Sequence, residues 1–190
     1  MKIKDENKRQ QILTATASII THEGAAAVST TKVAKQVGIG QSSLYTYFTN
    51  KQALLSAVFA QEQQKLASLI IGAGVADDTL TIKARLMRYA QTMVKFAIAN
   101  PDSLVIIEQI KFLPDFNGPS LNDPQNPIVQ LFQMAIDAGA LPKIDASLYI
   151  ASIFAVALRH GENIQQQQYT EKDVTLSQVL RLIYGADFIE

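Results

Sequence analysis

Apolar residues recur along this chain at helical spacing, and glycine and proline punctuate the runs; the pattern predicts an all-α fold of about nine helices. Over residues 5–22, Ile12, Leu13, Ala15, Ala17, Ile19 and Ile20 supply one inner face, Asp5 or Asn7 starts the helix, and Gly24 closes it. A short helix follows over about residues 29–37, capped by Ser29, with Val33, Ala34 and Val37 on one side. Gly38, Ile39 and Gly40 make a three-residue turn, and the next helix covers about residues 41–48. Asn50 opens a long helix past Leu54, Leu55, Val58 and Phe59 to about Ile71, where Gly72-Ala73-Gly74 breaks it. Asp78 or Thr79 starts another that Pro101 stops, and residues 102–112 form a shorter one stopped by Pro114. Residues 113–127 hold four of the six prolines and cannot be a helix interior, and residues 128–137 are helical again, ending at Gly139.

The helix over residues 41–48 is unlike a core element. Leu44 and Phe48 give it one narrow apolar stripe, and Gln41, Ser42, Ser43, Tyr45, Thr46 and Tyr47 turn amide, hydroxyl and phenol groups outward without a charge. Such a face suits base edges and phosphates together. Lys51 adds to this, because a lysine at the first position of a helix opposes the helix dipole, whereas a phosphate there gathers both the ammonium and the backbone N–H groups.

The run of residues 10–55, with Gly24, Val33-Ala34, Val37-Gly38-Ile39, Leu44-Tyr45, Tyr47-Phe48, Lys51 and Leu54-Leu55, resembles the DNA-binding domain of the tetracycline-repressor (TetR) family of transcriptional regulators. The resemblance implies that Ser29, Thr30, Thr31, Gln41, Ser42, Ser43, Tyr45, Thr46, Tyr47 and Lys51 contact double-stranded DNA. It further implies a helix-turn-helix domain over residues 1–52, a helical ligand-binding and dimerisation domain over 53–190, and a ligand-responsive repressor. Gly40 departs from the family pattern, which places a capping serine or threonine there; glycine is a tolerable cap at a cost of a few tenths of a kcal/mol.

Charge supports that assignment once it is divided along the chain. The net charge is zero over 190 residues. Residues 1–55 nevertheless carry Lys2, Lys4, Lys8, Arg9, Lys32, Lys35 and Lys51 against Asp5, Glu6 and Glu23, a net +4 that the remainder balances with −4. The basic residues before Asn7 suit a solvated tail or a minor-groove arm. There is no cysteine, hence no disulfide framework and no thiolate metal site, and a reducing cytoplasm is the expected location. No signal peptide and no membrane span is expected, since no apolar run reaches about 18 residues.

The last third carries a second signal. Residues 145–161, DASLYIASIFAVALRHG, are apolar almost all round. After a polar linker over residues 162–169, Thr170 and Asp173 form a capping pair, and Leu176, Val179, Leu180 and Ile183 share one helical face over about 171–184. Periodicity alone allows these helices either to complete the monomer's core or to form a homodimer interface of four helices. Resemblance to the TetR family favours the homodimer. It also implies a small-molecule effector in the middle helices, where Phe59, Tyr89, Met93, Phe96, Glu108, Phe112 and Phe132 are candidate contacts, with Met87, Phe116 and Met134 as further lining and Gln91 and Gln109 as polar pointers. No catalytic constellation, cofactor motif or metal-ligand spacing is present; the two histidines, His22 and His160, lie apart, and His160 beside Arg159 suits a helix C-terminus. The competing class is a helical ligand-binding or adaptor protein whose head no longer reads DNA.

Overall fold

The computed structural model describes residues 5–118, 123–185 and 188. Among them are nine α-helices, one 3-10 turn and no strand: α1 (Glu6–Glu23), the turn Ala25–Ala27, α2 (Thr30–Val37), α3 (Gln41–Tyr45), α4 (Lys51–Gly72), α5 (Ile82–Ala99), α6 (Pro101–Lys111), α7 (Pro127–Asp137), α8 (Ala146–Gln165) and α9 (Leu176–Tyr184). The helices form two compact units, Met1–Gln64 with Val105–Gly118, and Lys65–Leu104 with Pro119–Glu190. Lys2, Lys4 and the middle of the proline-rich segment lie outside the described residues.

In the first unit the Asp5 carboxylate accepts from the Asn7 and Lys8 N–H groups and starts α1. Ile12, Leu13 and Ile20 of α1, Val33 of α2, Leu44 of α3 and Leu54 and Leu55 of α4 are fully buried and make the core. Thr16 is buried among them without cost, since its hydroxyl donates to the Ile12 carbonyl at 2.8 Å. Gln109 of α6 belongs to this unit; its Oε1 accepts from the Ala25 N–H at 2.9 Å, which ties the connector between α1 and α2 in place. Nothing about an amide in an apolar helix signals this, and the sequence leaves Gln109 equally open to a ligand contact or to solvent.

In the second unit three boundaries differ from the sequence pattern. First, α5 begins at Ile82, capped by Thr81, because the Asp77 carboxylate is taken up by the Thr79 N–H and hydroxyl in a turn ahead of the helix. Second, α8 continues past Gly161 to Gln165. Gly161 is no helix stop: a Cβ there would lie 2.5 Å from the Ala97 carbonyl oxygen of α5, so glycine is what permits the close α5–α8 crossing. Third, α9 starts at Leu176 under a capping box of Thr175 and Gln178, while Thr170 and Asp173 bond each other in a separate turn. Both threonines head a capping pattern, and only Thr175 directly precedes the apolar stripe.

Candidate nucleic-acid interface

Three backbone features build the helix-turn-helix. The Ser29 hydroxyl accepts from the Lys32 N–H and opens α2. Gly38 closes it in the left-handed region, at φ 72° and ψ 34°, where a β-carbon is costly. Gly40 is extended at φ −66° and ψ 146° and caps α3 without a side chain. α3 is a short helix of 5 residues rather than the eight that periodicity suggests. The reason is local: the Thr46 and Tyr47 N–H groups bond back three residues to Ser43 and Leu44, and the Thr46 hydroxyl also donates to the Ser43 carbonyl at 2.7 Å. Leu44 and Phe48 are buried as anchors on either side of that tightening, and the Arg9 guanidinium lies over the Phe48 ring at 5.4 Å.

The polar residues between the anchors turn outward. Gln41, Ser42, Ser43, Tyr45 and Thr46 are exposed, Tyr47 is half-buried, and on α2 Thr30 is half-buried and Thr31 exposed. Three of them meet: Gln41 Nε2 donates to Thr30 Oγ1 at 3.1 Å and to Tyr45 OH at 3.5 Å, and the two hydroxyls lie 3.3 Å apart. Asn50 accepts from the Ala53 N–H at 2.8 Å and so caps α4, which puts Lys51 in the first turn. The Lys51 ammonium donates to the Ala26 carbonyl at 3.3 Å, a contact that leaves it two further donors. Lys32 is paired with Glu23, and Arg9 lies 3.5 Å from Glu6, so the positive charge of the head is partly neutralised on its own surface.

The ligand candidates fall into both units. In the second, Tyr89, Met93, Phe96 and Phe132 are buried; the Tyr89 ring meets Phe132 edge-on at 5.6 Å, and Phe132 stacks on Tyr149 at 5.9 Å. Burial pushes the Tyr89 phenol well above its ordinary range. Tyr149 is part of this aromatic cluster and was not singled out in the sequence. In the first unit Phe59 packs on Phe116 at 4.8 Å and Glu108 is half-buried. Phe112, just past the end of α6 at Lys111, faces outward with 75% of its surface exposed. Met134 is also exposed.

On α8 and α9 an open groove of about 530 Å³ is lined by apolar side chains, among them Ala155, Val156, Val179 and Leu182. His160 and Tyr169 border it. Since α8 continues past it, His160 is not at a helix C-terminus; it is buried, its Nδ1 lies 3.0 Å from Tyr169 OH, and the two rings stack at 5.6 Å. Burial lowers its pKa and the Glu171 charge acts weakly the other way. Among the described residues no group of three His, Cys, Asp or Glu side chains could hold a metal ion, and no helix is long and apolar enough to cross a membrane.

A glycine-turned pair of helices whose second member is anchored by two buried residues and polar elsewhere defines a helix-turn-helix protein. Residues 12–58 match the family model "Bacterial regulatory proteins, tetR family". A solved structure of a candidate transcription regulator from Lactobacillus plantarum is 39% identical, with a TM-score of 0.83, covering 95% of this chain and 98% of that one. This chain belongs to the tetR family of bacterial regulatory proteins. The nucleoid occlusion factor SlmA of Vibrio cholerae is 31% identical over 99 residues, 52% of this chain and 50% of that protein, so the chain spans about half the length of the curated relatives it matches. The fold is also that of AibR, solved with isovaleryl coenzyme A and operator DNA, at 15% identity and a TM-score of 0.71, covering 94% of this chain and 98% of that one.

Proposed function

We propose that this protein is a transcriptional repressor that binds a pseudo-palindromic operator as a homodimer and leaves it when a small molecule binds. The observation that carries the reading is the face of α3: two buried anchors, Leu44 and Phe48, hold a short helix whose remaining side chains are exposed hydrogen-bonding groups with no acidic member. Residues 1–52 form the DNA-binding domain, with Ser29, Thr30, Thr31, Gln41, Ser42, Ser43, Tyr45, Thr46, Tyr47 and Lys51 as its contacts, and residues 53–190 the ligand-binding and dimerisation domain. One such head makes too few base contacts to select a site, at about 1–3 kcal/mol of discrimination each. Two heads on a twofold axis read half-sites about 34–36 Å apart. The apolar groove on α8 and α9 is the surface on which the second copy packs.

The effector is a small molecule held by the second unit's aromatic cluster of Tyr89, Phe132 and Tyr149 with Met93 and Phe96. That AibR was solved with an acyl coenzyme A supports an organic effector without naming it. The protein works in the cytoplasm, on the chromosome. Selection from random double-stranded DNA tests the reading. Enrichment of an inverted repeat supports it, and recovery of no common sequence sinks it in favour of an adaptor role.

A further inference from the structure

Thr30, Gln41 and Tyr45 close a triangle of contacts across α2 and α3: 3.1 Å from Gln41 Nε2 to Thr30 Oγ1, 3.5 Å from Nε2 to Tyr45 OH, and 3.3 Å between the hydroxyls. Three contacts need three protons. With Nε2 turned inward, the amide supplies two and one hydroxyl supplies the third. With the amide reversed, Oε1 would face both hydroxyls, only their two protons would be available, and one contact would set lone pair against lone pair. The proton count therefore selects the orientation in which Gln41 Oε1 points away from the triangle. It also leaves one hydroxyl, of Thr30 or Tyr45, with its proton unused.

We propose that this triangle is a preassembled base reader specific for adenine. It presents one acceptor, Gln41 Oε1, and one adjacent hydroxyl donor. Adenine offers the complement on a single base in the major groove, a donor at its N6 amine and an acceptor at N7. Guanine offers two acceptors there and thymine an acceptor beside a methyl group, so neither can satisfy Oε1; the cytosine N4 amine can, but cytosine has no major-groove acceptor on the same base for the hydroxyl. A free glutamine would spend both ends of its amide on the base. Here the amide nitrogen is held by its neighbours, the rotamer is set before DNA arrives, and the donor is a hydroxyl. Thr30 and Tyr45 are thus positioning residues for Gln41, and one of them also donates to N7. The inference rests on the DNA-binding function proposed above.

The test begins with selection from random DNA by the full chain and by Gln41→Ala. The position in each half-site at which Gln41→Ala loses preference is the base pair read, and it is an A·T pair. In the selected site, replacing that adenine by purine, which lacks the N6 amine, weakens wild-type binding about tenfold and leaves Gln41→Ala unaffected; 7-deazaadenine, which lacks the N7 acceptor of the hydroxyl, weakens wild-type binding to a smaller degree. Thr30→Val and Tyr45→Phe each reduce the A·T preference at that position without changing the salt dependence. A G·C pair there, or purine tolerated by the wild type, overturns the adenine reader while leaving the regulator intact. So does a uniform loss of affinity in Thr30→Val and Tyr45→Phe with base preference unchanged. Failure to enrich any inverted repeat overturns the proposed function, and the adenine reader with it.

Discussion

Gly161 of α8 lies against the backbone of Ala97 of α5 so closely that a β-carbon at position 161 would stand 2.5 Å from the Ala97 carbonyl oxygen and 3.1 Å from the Ala97 Cβ. Both partners are rigid helix backbone, so an added methyl group cannot be absorbed by a side-chain rotation. Gly161→Ala should destabilise the second unit by about 1–3 kcal/mol through overpacking, even though alanine is the better helix former. Thermal unfolding followed by circular dichroism checks this. A variant with an unchanged or raised midpoint would mean that the two helices separate at no cost.

Gln109→Leu keeps the bulk of the side chain and removes the acceptor on the Ala25 N–H. That donor sits in a partly buried turn, so the loss should cost about 1–3 kcal/mol, with the first unit unfolding earlier in urea. Amide hydrogen exchange at Ala25 reports the same event locally, as faster exchange in the variant.

The outline of the helices was legible because it rests on local chemistry. Gly38 had to end α2, Pro101 had to end α5, and the spacing of Leu44 and Phe48 located the anchors of α3. What escaped prediction depended in one case on a partner distant in sequence and in another on a choice between two neighbouring capping pairs. Gly161 reads as a helix stop until the Ala97 carbonyl is seen beside it, and Thr170 reads as a cap until Thr175 is seen to hold Gln178. The candidate DNA contacts were legible as residue types, yet the triangle of Thr30, Gln41 and Tyr45 needs the angle between α2 and α3, which no periodicity supplies.

His160 predicts a pH dependence. Its pKa in the fold is lowered chiefly by burial, so the folded protein binds the proton less readily than the unfolded chain, whose histidine titrates near about 6.5. The stabilising contribution is complete above that value, and it is lost as the pH falls through 6.5 toward the folded pKa. The unfolding midpoint in urea should therefore drop between pH 7.5 and pH 5.5, by less in His160→Gln than in the wild type. Equal slopes for both proteins would assign the acid sensitivity to other groups.

Lys51 and Gln41 should separate cleanly in their effects on DNA. If Lys51 binds the phosphate backbone as proposed, Lys51→Ala should weaken binding across all sequences alike, and the salt slope should fall by roughly one per subunit. Base preference should stay as it was. A change in preference at one position would place Lys51 in a groove rather than on the backbone.

Leu182 offers a test of the proposed dimer surface that spares the monomer's core. It lies on α9 with 74% of its surface exposed, at the edge of the apolar groove, while Val179 and Leu180 of the same helix are buried. Replacement of an exposed leucine by lysine changes the stability of an isolated chain by about half a kcal/mol at most. In a symmetric interface the two copies bring two charges into one apolar surface without partners, a cost of several kcal/mol. Leu182→Lys should accordingly sediment as a folded monomer where the wild type is expected to sediment as a dimer. It should keep weak binding to an isolated half-site and lose the added affinity of the second half-site, because each head would then bind independently. A Leu182→Lys protein that stays dimeric, with full affinity for the inverted repeat, would move the interface away from the α8 and α9 groove.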